Sequence, residues 1–178
     1  MAPPMLRALL ILIAVVAVLG VSACGDDDDS ATPAQEQTSA ETQTTPSEDA
    51  LKDTAVKPEI PKPTGTPPRK LATEDIVKGE GPGAKPGNTV TVKYVGVNFS
   101  NGQEFDSSWD SGATFPVQLG AGMVIEGWDK GLVGMRKGGR RMLTIPPKLA
   151  YGSEGYPPTI APNETLIFVI DALDIKPG

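Results

Sequence analysis

A chain of 178 residues with 22 acidic against 16 basic side chains carries a formal net charge of -6. With a pI near 4.7 it lacks the clustered positive charge that nucleic-acid binding uses to displace counterions. One cysteine and no histidine exclude an intrachain disulfide framework, a histidine-based catalytic triad and a His/Cys zinc site, so no cofactor and no metal are expected.

Residues 1–7 carry one positive charge, and residues 8–21 form an apolar run too short to cross about 30 Å of hydrocarbon comfortably. Residues 1–23 read as a signal peptide. The run closes on Val21, Ser22, Ala23 and Cys24, which resembles the lipobox of bacterial lipoproteins. That resemblance implies a lipid on Cys24, a place outside the cytoplasm and an anchor in the bacterial cell membrane. An ordinary signal peptide with an incidental cysteine is the alternative. Two or more acyl chains anchor stably, at about 0.8 kcal/mol per buried methylene.

Residues 24–68 have the composition of a disordered tether. Asp26 to Asp29 are contiguous and lack the glycine turn of a calcium loop. The Ser, Thr, Gln, Glu and Pro residues that follow bury too little apolar surface to offset the entropy of ordering. Pro58, Pro61, Pro63, Pro67 and Pro68 favour extended segments. As a coil this stretch would reach on the order of 40 Å.

From Arg69 short apolar runs alternate with Gly and Pro, the texture of a mostly β domain over residues 69–178. Strands are expected at 71–78 and, most clearly from its β-branched alternation, at 89–97. Asn101 and Gly102 suggest a type I′ hairpin turn between residues 98–100 and 103–105, after which Asp106, Ser107 and Ser108 leave the sheet. Residues 115–120 alternate like a half-buried strand, and Gly127 precedes a short helical pattern at 128–133. Trp128 lies either in the middle of a core or on the floor of a shallow pocket. Residues 136–139 read as a turn whose basic cluster is solvated rather than phosphate-binding, and 140–145 as a strand ended by Pro146 and Pro147. Residues 148–163 form a long connection of the kind that tends to be functional. The last strand, 164–175, sets Leu166, Phe168 and Ile170 on one face and Ile167 and Val169 on the other.

Several separate motifs then agree: Tyr94 with Gly96; Gly102 before Phe105, Asp106, Ser107 and Ser108; Val124 and Ile125 with Gly127 and Trp128; Gly138 to Arg141; Ala150, Tyr151 and Gly152; Thr165 and Leu166 before Phe168. In order and spacing they resemble the FKBP family of macrolide-binding peptidyl-prolyl isomerases, over about residues 69–176. The resemblance implies an α+β fold, a five-stranded antiparallel sheet curled around one short helix. It implies binding of proline-containing polypeptides, inhibition by a macrolide, and a monomer.

Rotation about an X-Pro amide faces a barrier of about 18 to 20 kcal/mol set by resonance. An apolar cavity that favours the twisted, less dipolar amide lowers it with no nucleophile, acid, base or metal. By resemblance Trp128 is the floor, and Tyr94, Phe105, Phe115, Val124, Ile125 and Phe168 are walls. Tyr151 offers its hydroxyl and Ile125 its backbone N–H to substrate carbonyls, Asp106 lies on the rim, and Tyr156 and Ile160 contact substrate from the long connection. Tyr94 and Phe168 as plain core, and Asp106 as a turn cap, remain open. The chain departs from the family in Val117, where a further aromatic is common, and in Tyr156 and Thr159. Two other function classes stay open: a peptide-binding or chaperone module that uses the same pocket without turnover, and a surface lipoprotein whose domain only docks a partner.

Overall fold

Apolar residues at both parities of one strand demand cover on both faces of the sheet, and β6 (Leu166–Lys176) receives it. The computed structural model describes residues 50–178, so the expected signal peptide, Cys24 and residues 24–49 of the expected tether lie outside the described residues. β6 runs between β5 (Arg140–Ile145) and β2 (Thr89–Asn98). β1 (Ala72–Val77) pairs with β5, while β3 (Glu104–Ser107) and β4 (Phe115–Gln118) share the free edge of β2. All pairings are antiparallel. β4 lies opposite Thr89 to Val92 and β3 opposite Val95 to Val97. Read as one interrupted strand they give the expected five; counted apart, the described residues hold six.

The helix α1 (Glu126–Gly131) begins and ends two residues before the expected 128–133. It crosses β5 closely because two of its positions have no side chain. A Cβ on Gly127 would stand 2.3 Å from Ile145 Cγ2, and one on Gly131 2.8 Å from both Leu143 methyls. That approach seals the main core, where Val90, Val92, Val117, Leu119, Trp128, Leu143, Ile145, Leu166, Phe168 and Ile170 meet. Val117, at the position where an aromatic was noted as missing, is 1% exposed and belongs to this core.

Three expectations change. The hairpin is not type I′, which needs positive φ at both central residues; among its residues only Gly102 is left-handed, at 75°. The Asn101 side chain instead accepts the Gln103 N–H at 2.8 Å, an Asx bond. The chain turns over four residues closed by Gly102 N–H on the Asn98 carbonyl. Asp106 and Ser107 stay in the sheet as part of β3. The basic turn is exposed as expected over residues 136–138, with Lys137 paired to Asp174 at the surface, whereas the arginines that follow on β5 are buried, Arg140 against Asp171 and Arg141 against Asp75.

The third change concerns residues 50–68, expected to be tether: the stretch from Leu51 to Ile60 packs on the back of the sheet. Arg140 Nη1 donates to the carbonyls of Leu51 and Asp53 at 2.9 and 3.0 Å, and Nη2 to that of Val56 at 3.0 Å. Lys57 bridges Glu104 and Asp110, 2.8 Å from each. Ile60 joins Val95, Val97, Ile167, Phe99, Trp109 and Met142 in a second apolar cluster. This strap covers the outer face of β2 and β6, which explains why both strands are apolar at both parities. Composition concealed it because its ties are backbone carbonyls, one lysine and one isoleucine, not an apolar period.

Candidate active site

On the helix side of the sheet a recess of about 450 Å³ opens between β2, β3, β4, α1 and the connection after β5. Its lining contains Tyr94, Phe105, Asp106, Phe115, Val124, Ile125, Trp128, Tyr151 and Phe168, all named from sequence. Gly122 and Met123 also line it and were missed, because the loop that carries them has no periodicity to mark which side chains face inward.

β2 sets Tyr94 on the same face as Val90 and Val92, two and four residues away. Trp128 is 4% exposed and sits beneath a fence of perpendicular rings. Its centroid is 5.1 Å from Tyr94, 5.2 Å from Phe168 and 6.3 Å from Phe115, at interplanar angles of 83°, 88° and 79°. Edge-to-face contacts of this kind contribute about 0.5 to 1.5 kcal/mol each beyond area burial. Phe105 meets Phe168 at 5.4 Å and 89°. Both open readings of Trp128 and Phe168 therefore hold at once: they are core residues whose upper surface is the bottom of a recess.

Phe105 and Asp106 are adjacent in sequence yet both line the recess. A bulge allows it: Val97 pairs with Glu104 and Gly96 with Asp106, which leaves Phe105 as the extra residue. Gly96 makes room for the result. A Cβ there would lie 2.8 Å from Phe105 Cζ and 2.8 Å from Phe168 Cε1. Gly96→Ala is expected to displace both rings, cost about 1 to 3 kcal/mol and lower isomerase activity several-fold. Chemical denaturation and a peptide assay on the folded variant check the two effects separately.

Asp106 does not cap a turn. Its Oδ2 accepts the Tyr94 hydroxyl at 2.7 Å. Burial, and then the Asp106 carboxylate, push the Tyr94 phenol well above its ordinary range. Burial, followed by Asp106 and Tyr156, also raises Tyr151. Tyr151 stands on the rim, 39% exposed, after a single 3-10 turn, Pro147–Leu149. No hydrogen-bond partner for its hydroxyl, or for the Ile125 N–H, lies among the described residues.

Two of the site residues named from sequence lie elsewhere. Ile160 is 3% exposed in the main core and does not line the recess. The reason is a tight loop: Tyr156 and Ile160 exchange backbone hydrogen bonds at 2.9 Å in both directions, and Ile160 is turned inward. Tyr156 is 64% exposed outside the lining, with its ring 5.8 Å from that of Tyr151. It extends the rim rather than the cavity.

Comparison with known proteins agrees with this geometry. Residues 81–173 match the family described as FKBP-type peptidyl-prolyl cis-trans isomerase. An FK506-binding protein of Streptomyces anulatus is 56% identical over 120 residues, 67% of this chain and 97% of that protein. A probable FK506-binding protein of Corynebacterium glutamicum is 50% identical over 117 residues, 66% and 97% of the two chains. Among solved structures, AtFKBP13 superposes with a TM-score of 0.55 at 39% identity, over 58% of this chain and 91% of that one. FkpA from Escherichia coli gives 0.55 at 42% identity, over 60% and 48%. An aromatic recess floored by one indole, on a sheet of this topology and with relatives of this closeness, places the chain in the FKBP family of peptidyl-prolyl cis-trans isomerases.

Proposed function

We propose that the recess takes a prolyl ring onto Trp128, with Tyr94, Phe105, Phe115, Val124, Ile125 and Phe168 around it, and releases the X-Pro amide after rotation. The observation that carries this arrangement is the pair of donors at the mouth. The Tyr151 hydroxyl and the Ile125 N–H lack partners among the described residues, whereas the other polar pair of the lining, Tyr94 and Asp106, is satisfied internally. The two donors are positioned to hold the carbonyls on either side of the twisting bond. The twisted amide, having lost resonance, is less dipolar and gains more from such a site than the planar form. Proline-containing polypeptides are the substrates, and a macrolide competes for the same recess.

Protease-coupled or exchange-NMR measurement on an X-Pro peptide tests this, with and without a macrolide. A rate unchanged at saturating protein would remove the isomerase reading. The raised phenol pKa values of Tyr94 and Tyr151 mean that the fold favours the neutral hydroxyls. Their contribution is intact below the ordinary tyrosine value of about 10 and is lost only above it. The rate is therefore expected to be level from neutrality to about pH 9, with any loss beginning higher.

A non-catalytic peptide-binding reading draws support from the apolar rim, where Met123 is 78% and Tyr156 64% exposed. Binding that survives in a variant without turnover would favour it. The clients we propose are exported proteins, because the lipobox-like Val21 to Cys24 directs the chain outward and anchors it by lipid, as a monomer. Cys24→Ala is expected to move the protein into the soluble fraction; persistence in the membrane fraction would refute the anchor.

A further inference from the structure

The loop between β4 and α1, residues 119–125, supplies one wall of the recess through Gly122, Met123, Val124 and Ile125. Its ends are held, Leu119 in the core with backbone bonds to Gly87 and Asn88 and the Ile125 carbonyl by the Trp128 N–H, but the middle has little of its own. Met123 is mostly in solvent, and the Ala121 N–H reaches the Gln118 carbonyl only at 3.4 Å. Gly120 and Gly122 are left-handed, with φ of 79° and 66°. Backbone of this kind turns nearby N–H groups to one side and forms a concave receptor for an anion.

That receptor is filled from within the chain. The Asp129 carboxylate accepts the Gly120 N–H at Oδ1 and the Gly122 N–H at Oδ2, each at 3.1 Å. Asp129 directly follows Trp128 on α1. One carboxylate therefore joins the wall of the recess to the helix that carries its floor. We infer that Asp129 is a positioning residue for the isomerisation: it touches no substrate, but sets the distance between the Trp128 ring and the Val124–Ile125 wall, and the direction of the Ile125 N–H. The inference rests on the substrate arrangement proposed above. It adds a residue whose two bonds separate a formed recess from a loose one.

Sequence alone does not assign this role, since an acidic residue in the first turn of a helix is already favoured by the macrodipole. The bidentate grip on two loop amides is a further duty. Charge-assisted bonds to backbone N–H groups are the stronger kind, and a misplacement of about 1 Å in a binding group can cost on the order of a hundredfold in rate.

The test uses the full chain with Asp129→Asn, Asp129→Ala and, as a control on the same helix, Lys130→Ala, which removes only an exposed pair with Glu126. Asn keeps the shape but presents an NH2 to one of the two amides, so one bond is lost. For Asp129→Asn we expect kcat/KM to fall about tenfold, mainly through KM, with a larger fall for Ala. Amide hydrogen exchange at Gly120 and Gly122 in the free protein should accelerate in both, and Lys130→Ala should change neither readout. If exchange accelerates while kcat/KM of the folded variants stays at the wild-type value, the carboxylate only stabilises the loop and the inference is overturned. Unchanged exchange overturns it as well. A wild-type chain without isomerase activity would sink the substrate arrangement and this inference with it. An active wild type with an unperturbed Asn variant would sink the inference alone.

Discussion

Asp171→Ala in the full chain is expected to lower the unfolding free energy by about 3 to 5 kcal/mol and to loosen the strap at residues 51–56. Asp171 and Arg140 are a bidentate pair with side chains 3% and 0% exposed, Nε to Oδ1 at 2.5 Å and Nη2 to Oδ2 at 2.8 Å. The other guanidinium bonds go to the carbonyls of Leu51, Asp53 and Val56. A guanidinium has five N–H donors, and here each is used. Removing the carboxylate leaves a buried cation that cannot shed its proton.

The reverse variant, Arg140→Met, should be milder under acid conditions. Burial already pushes Asp171 upward against the pull of Arg140, and without the arginine it rises further. A carboxyl whose folded pKa is raised favours folding while protonated, and that advantage is lost as pH rises through the folded pKa. Relative to wild type, Arg140→Met is thus expected to be closer in stability at about pH 5 than at about pH 8. The double variant Arg140→Met with Asp171→Leu should recover most of the lost stability, since apolar replacement of a buried pair is often neutral or better. It leaves the three strap carbonyls without their donor, so the peptide bond after Lys52 should be cut faster by trypsin. Urea titrations and timed proteolysis read the two effects; equal cleavage of wild type and double variant would contradict the strap's mode of attachment.

Trp128→Ala is expected to lower kcat/KM by about ten- to a hundredfold, because contact with one large apolar face is worth roughly 1.5 to 3 kcal/mol. The same substitution removes ring contacts with Tyr94, Phe115 and Phe168 and should cost about 3 to 5 kcal/mol of stability. Trp128→Leu separates the two: it refills much of the volume beneath the fence yet offers no flat surface to a prolyl ring. Its stability should recover by more than its activity does. A Leu variant with wild-type kcat/KM would show that the indole is core alone and that the recess works from its walls.

β2 was legible because Val90, Val92, Val95 and Val97 alternate between two buried faces, and β6 because its apolar run is long. The aromatic and glycine motifs located the recess through their likeness to the FKBP family. Gly96 leaves room for the Phe105 and Phe168 rings, while Gly127 and Gly131 let α1 approach Ile145 and Leu143. What misled was polar chemistry over short distances. Asn101 and Gly102 carry a hairpin signal, but the Asn101 side chain uses its oxygen on Gln103 and lengthens the turn. Ile160 has the composition of a binding residue, yet the backbone exchange between Tyr156 and Ile160 turns it into the core.

The residues by themselves determined the strands and the short helix against them. These follow from local periodicity, side-chain volume and the conformational freedom of glycine, all of which are properties of neighbours in the chain. The rings that line the site were named through the motifs shared with the FKBP family. Only the tertiary structure decided that Leu51 to Ile60 pack on the domain, that Arg140 and Arg141 find buried partners, and that Asp129 grips the wall of the recess. Each of those depends on where a charged group finds backbone N–H or C=O groups left over by distant segments. Such leftovers exist only once the sheet has closed, so no pattern along the chain records them.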